Sequence, residues 1–151
     1  MSQLASAKTV SDLLRETRIR VSPATYVLVG LDHADWSRLL GETGLSPRSD
    51  SSFMIFRDDK QVTLLLEDED WTRMRHAARD ARVEGNFRLV TLDVELGWDI
   101  VGYLGRVTEI LASAGIAIGA LSSFSRDHLL IKQDDLGKAL KVLASYTAEV
   151  C

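Results

Sequence analysis

Cysteine is nearly missing: the only one is Cys151, the last of 151 residues. No intrachain disulfide can form, sites built from several thiolates are excluded, and a prenylation box would need its cysteine four residues from the end. Histidine is scarce too. His33, His76 and His128 show no metal-ligand spacing with one another or with Cys151, so neither a metal ion nor a cofactor is expected. No apolar run approaches the length of a bilayer span, and the opening MSQLASAKTVSDLLRETRIR carries charges where a secretory signal would be apolar. The expected location is the cytoplasm, with no membrane partner. Excess positive charge is also lacking. A net charge of -4 disfavours nucleic acid and anionic lipid as main partners, and the local group Arg73, Arg75, Arg79 and Arg82 reads as the wet face of a helix. GxSxG, HExxH and P-loop patterns are absent, and the Ser122–His128 stretch places its serines, acid and histidine in one hairpin with alternating directions, which makes a catalytic triad improbable. A non-enzyme is expected.

What is present is an ordinary globular composition, 46% hydrophobic and 26% charged, enough for one compact domain or two small ones. Residues 9–18 fit a short helix with Thr9 or Ser11 as its cap and Val10, Leu13, Leu14 and Thr17 at helical spacing. Ser22-Pro23 reads as a break, Tyr26–Leu31 as a buried strand, and Asp32–Leu40 as a short helix with Trp36, Leu39 and Leu40 inward. Gly41–Ser51 is rich in turn formers and reads as a loop. Strands at Phe53–Arg57 and Val62–Leu66 follow, then a helix from about Asp68 to Arg82 whose stripe is Trp71, Met74, Ala78 and Ala81, and whose Glu67–Asp70 start reads as a solvated first turn. Gly85-Asn86 punctuates again. Beyond it, Val90, Leu92 and Val94 alternate with polar residues as in a strand. Residues 102–114 place Leu104, Val107, Leu111 and Ala114 on one helical face with Gly115 as the stop, 116–124 reads as a strand, 128–132 as another, and 134–145 as a final helix with Leu136, Leu140 and Leu143 inward.

The chain repeats itself. TLLLEDEDWTRM from Thr63 lies over HLLIKQDDLGKA from His128 without a gap, and YVLVGL from Tyr26 lies over LVTLDV from Leu89. Each half therefore reads strand, helix, strand, strand, helix, a supersecondary unit of the ferredoxin-like kind. Units of this size bury little core alone, so the two are expected to pack together or share strands. The expected fold class is α+β: two ferredoxin-like βαββαβ units, helices on one face of mixed antiparallel sheets. The expected division is an N-terminal extension over 1–21, a degenerate unit over 22–86 and a well-formed one over 87–151.

From Phe87 to Tyr146 the order of features is distinctive. A strand ends in Glu95-Leu96-Gly97, the loop Trp98-Asp99-Ile100-Val101 delivers Gly102, the helix YLGRVTEILASAG follows, IAIGALSSFS forms a strand, and DHLLIK returns before an acid-started helix. This segment resembles an ACT domain, the small-molecule-sensing module, and Ser122-Ser123-Phe124, Asp127 and LLIKQDDLGKAL look like the branch found in paired-ACT proteins, aspartate kinase regulatory regions and arginine sensors. The physics of the residues agrees. Glycines at 97 and 102 let a loop pass close to a ligand and expose helix-start N–H groups that favour a carboxylate, although both also serve plain turn geometry. Asp99, Asp127 or Glu95 is available for an ammonium, Asp99 equally as a helix cap, and Trp98 to stack on a ligand or anchor a partner chain. The resemblance implies a ligand site made of Glu95, Gly97, Trp98, Asp99, Ile100, Val101, Gly102, Ser122, Ser123 and Asp127, an amino acid as the ligand, and regulation of a protein partner through association, with a homodimer as the default. A ligand-free assembly module, or less readily a small-metabolite enzyme, is the alternative.

Overall fold

The computed structural model describes residues 7–42, 44–48 and 50–151. The chain divides into two compact units, one made of residues 23–87 and the other of residues 88–151 together with the N-terminal stretch through Ser22. No helix among the described residues is long and apolar enough to cross a membrane.

In the first unit, β1 (Arg18–Leu31), α2 (His33–Gly41), β2 (Met54–Arg57), β3 (Val62–Glu67), α3 (Asp68–Met74) and the start of β4 (Arg82–Asp93) follow in chain order. The sheet order here is β2-β3-β1-β4, with β1 and β2 both antiparallel to β3. That is a complete βαββαβ unit. Alternate residues of the strands, Val27, Val29 and Leu31 with Val62, Leu64 and Leu66, meet Leu39 of α2 and Trp71 and Met74 of α3 in one apolar cluster. Asp32 caps α2 by accepting from the Asp35 backbone N–H at 2.7 Å.

In the second unit, the end of β4 leads to α4 (Tyr103–Ser113), β5 (Ile118–Ser122), β6 (Asp127–Lys132), α5 (Gln133–Ala144) and a two-residue β7 (Glu149–Val150). The strand position that should close this unit is filled from the other end of the chain. The beginning of β1 lies between β4 and β7, joined in parallel to β7 through Arg18 and Ile19. The preceding helix α1 (Val10–Glu16) comes with it, held by a capping box between Thr9 and Asp12. Leu13, Leu14 and Ile19 are buried beside Val90, Leu92, Val107, Leu111, Leu129, Ile131 and Leu143. The ferredoxin-like topology is therefore present in both units, in chain order in one and with its last strand borrowed from the N-terminus in the other.

The repeat holds residue by residue. β3 and β6 begin at Val62 and Asp127 with the same burial sequence along six positions. Trp71, Met74 and Ala78 have buried counterparts in Leu136, Ala139 and Leu143. Leu65 and Leu130 are buried too, so both runs are strands covered on each face rather than on one.

Several expectations need correction. Ser22-Pro23 does not end a segment, because Pro23 sits inside the fourteen-residue β1, where its fixed φ suits extended backbone and only one ladder donor is lost. Gly85-Asn86 likewise lies inside β4. Asn86 takes φ 64 there, and a Cβ at Gly85 would meet Val27 Cγ1 only at an ordinary contact distance of 3.6 Å. The helix from Asp68 stops at Met74, continues as one 3-10 turn over Arg75–Ala77, and Arg82 already belongs to β4, so the four arginines do not share a helical face. Leu40 is 66% exposed rather than inward. In the Glu67–Asp70 run, Asp68 and Glu69 are exposed as in a solvated first turn, but Asp70 is fully buried and accepts from Arg48 Nε at 3.0 Å and Arg73 Nη2 at 2.8 Å. Burial works to raise the pKa of Asp70, and the bonds from Arg73 and the Arg48 segment outweigh it and hold it below the ordinary carboxylate value.

Candidate functional site

In the second unit, the loop after β4, the first turn of α4 and the β5–β6 hairpin enclose a cleft of about 240 Å³. The loop is shaped by its own backbone: Ile100 N–H donates to Gly97 O at 3.1 Å, and Leu96 N–H reaches across to Ser125 O of the hairpin at 2.9 Å. Gly102 then turns into α4 at φ 91, a left-handed conformation that glycine adopts without strain. No side chain caps this helix. The first-turn N–H groups of Tyr103, Leu104 and Gly105 therefore stand at the wall of the cleft with the positive end of the helix dipole behind them.

Seven of the ten expected residues line the cleft: Gly97, Trp98, Ile100, Gly102, Ser122, Ser123 and Asp127. Glu95, Asp99 and Val101 are exposed and do not. Asp99 is not the helix cap, since Gly102 occupies that position, and its carboxylate folds back to Gly97, where Oδ1 lies 2.5 Å from the place a Cβ would occupy. Asp127 is the acid the fold delivers to the cleft. It is 9% exposed and accepts from Ser122 Oγ at 2.5 Å.

Tyr103 and Arg126 line the same cleft without having been singled out in the sequence. Arg126 donates from Nε to Asp93 Oδ1 at 2.8 Å and from Nη1 to Ser125 Oγ at 2.9 Å, and Arg20 also donates to Asp93 at 2.6 Å. Two guanidinium groups thus share one carboxylate, and Arg126 brings a positive charge to the cleft wall opposite in sign to Asp127. Hydrogen bonds from Arg126 and then Arg20 hold the Asp93 carboxyl below its ordinary range. Tyr103 is buried with its hydroxyl 2.7 Å from Thr17 Oγ1. Thr17 spends its single proton on Leu13 O at 2.7 Å, so the Tyr103 hydroxyl is the donor of the pair. Burial, with the nearby Asp127 charge adding to it, pushes the Tyr103 pKa up to about 12. The signal that could have found Arg126 is its place in the turn before a buried acid, but the turn alone does not show where a long side chain goes.

The hairpin sorts its polar residues into two pairs. Ser122 serves Asp127, while His128 sits between Thr91 Oγ1 and Ser123 Oγ, each at 2.9 Å. Ser123 donates its proton to Arg126 O at 3.1 Å, which makes His128 Nε2 the donor to Ser123 and Nδ1 the acceptor from Thr91. Burial lowers the His128 pKa, the Arg126 charge assists, and Asp127 opposes them. A neutral histidine whose Nδ1 faces a threonine is not a base aimed by a carboxylate, so serine, histidine and aspartate form no relay here. Among the lining residues, Trp98 and Phe124 are each 92% exposed, so the cleft carries apolar surface that is left to water.

Residues 82–145 match the ACT domain family model. No curated protein matches the chain in sequence. Among solved structures, the fold is similar to that of the Vibrio cholerae protein VC0802, described as of unknown function and a possible transport protein, at 24% identity and TM-score 0.68 over 94% of this chain and 98% of that one. It is similar to Agrobacterium tumefaciens Atu0741 at 19% identity and TM-score 0.68, covering 90% and 92% of the two chains. The regulatory subunit of aspartate kinase from Thermus thermophilus, in its ligand-free form, aligns at 11% identity and TM-score 0.62 over 85% and 95%.

Proposed function

With an ACT domain spanning residues 82–145, we propose that this chain is a non-catalytic regulatory protein whose cleft between the β4–α4 loop and the β5–β6 hairpin binds a free amino acid. The observation that carries this reading is a pair of opposite attractions in one cleft: uncapped N–H groups at the start of α4, and the carboxylate of Asp127 on the facing hairpin. The first suits an α-carboxylate, with the Arg126 charge nearby, and the second an α-ammonium, with Ser122 orienting the acid. The ligand side chain then lies toward Trp98 and Phe124. Regulation follows if occupancy favours one state of association, since a ligand shifts an equilibrium only by its differential affinity for the two states. The exposed aromatic rim is the surface through which a second copy would register that the cleft is filled.

The test is the melting temperature of the chain with and without each of the twenty amino acids and a few nucleotides. One amino acid at about 100 times its dissociation constant should raise the melting point by roughly 5–10 °C for a chain of this size. Asp127→Ala should abolish that rise while still melting cooperatively. The exposure of Trp98 favours a second reading, an assembly module without a ligand. No rise with any compound, together with self-association that Trp98→Ala abolishes, would replace the first reading by the second.

A further inference from the structure

The 23–87 unit holds a hollow of its own, about 180 Å³ in volume. Its walls include Trp36 and Leu40 of α2, Leu45 and Pro47 of the following loop, Ile55 of β2 and Met74 of α3. Among the described residues no charged side chain lines it, and Ser46 brings the only hydroxyl. A charged molecule entering this space would lose its hydration and find no partner, whereas an apolar one would lose little. Size narrows the choice further. An apolar protein cavity of about 150 Å³ accepts benzene, so this one suits roughly six to ten carbon atoms.

The loop over the hollow is tied down in an unusual way. Arg48 reaches Glu67, Glu69 and Asp70 at 2.6, 2.9 and 3.0 Å, and Arg73 Nη2 donates to Ser46 O at 3.0 Å. Residues 44–48 are thus pinned by two arginines while the apolar Leu45 and Pro47 cover apolar space. At the mouth, Leu40 and Ile55 remain 66% and 44% exposed. An ordinary core would have closed over them.

We propose that this hollow is a binding site for a neutral apolar small molecule, of the size of one aromatic ring or a comparable branched aliphatic group, and that the Arg48-clamped stretch 44–48 is its flap. The ligand is different in kind from the zwitterion proposed for the ACT cleft. The two sites therefore stand or fall separately.

The test is methyl NMR of the full chain titrated with benzene, indole and cyclohexane. Saturable shifts should appear at Leu40, Leu45, Ile55 and Met74 and not at Val101 or Leu104, which belong to the other unit. Ile55→Trp, or Leu40→Trp if the first fails to fold, fills the hollow from an exposed position and should abolish the shifts with the cooperative melt retained. Arg48→Gln should keep the shifts and speed ligand exchange. The site is overturned if none of the three probes gives saturable shifts, or if the tryptophan variant still gives them. It is also overturned if the same methyls move with protein concentration alone, which would assign the space to a side chain of a second copy. An unchanged exchange rate in Arg48→Gln would remove the flap from the proposal.

Discussion

Gly97 and Gly102 look alike in the sequence and differ in what they require. Gly102 holds φ 91 in open space, so Gly102→Ala is expected to cost about 1–2 kcal/mol through backbone strain alone, measured by urea denaturation. A Cβ at Gly97 meets only the end of the Asp99 side chain, which can swing away, and Gly97→Ala should stay within about 0.5 kcal/mol. Equal effects at the two positions would show that the turn is set differently. Tyr103 makes a prediction at high pH. An unfolded tyrosine ionises near 10 and this one near 12, so its contribution is complete below pH 10 and is lost as pH rises through about 12. Full loss amounts to about 2–3 kcal/mol. Unfolding curves across this range should fall steeply for the native chain and more gently for Tyr103→Phe. His128 works in the opposite sense. Its folded pKa lies below 6.5, so it stabilises the fold above that value and ceases to do so as pH falls through the folded pKa. An NMR titration midpoint at or above 6.5 for His128 would contradict the burial that causes the shift.

At the scale of elements, caps were legible where a side chain makes them. Thr9, offered by the sequence alongside Ser11, is the cap of α1 and is joined by Asp12 in a capping box, and Thr9→Ala should cost about 1 kcal/mol, read by thermal or urea unfolding. Gly115 announces the end of α4: it takes φ 74, and Ile116 N–H returns to Leu111 O at 3.1 Å. Where a backbone turn does the work, the sequence misled. Asp99 has the chemistry of a cap, yet Gly102 takes the cap position at φ 91 and no side chain caps the helix. Pro23 and Gly85-Asn86 have the chemistry of breaks, yet each lies within a strand long enough to absorb one missing donor or one reversed φ. Local signals describe the cost of a conformation, and pairing with neighbours can exceed that cost.

For the whole molecule, the borrowed strand has the largest consequence. Leu13, Leu14 and Ile19 complete the core of the unit that otherwise comprises residues 88–151. Deleting residues 1–22 should therefore remove the cooperative melt of that unit, and a chain that still gave dispersed NMR signals for Val107, Leu111 and Leu129 would refute this account. The duplication itself was readable from the sequence alone, because burial with a period of two in a strand and 3.6 in a helix must recur wherever the same unit recurs. TLLLEDEDWTRM and HLLIKQDDLGKA carry that recurrence directly. So did the glycines and polar residues that gather at one cleft, since each lies at the end of an element whose type the pattern declares. What only the tertiary structure decided is which strand lies beside which, and where long side chains such as Arg126, Arg48 and Tyr103 end. An apolar stripe records that a face must be covered without recording by what, and a charged side chain several bonds long finds its partner only after the backbone has chosen its neighbours.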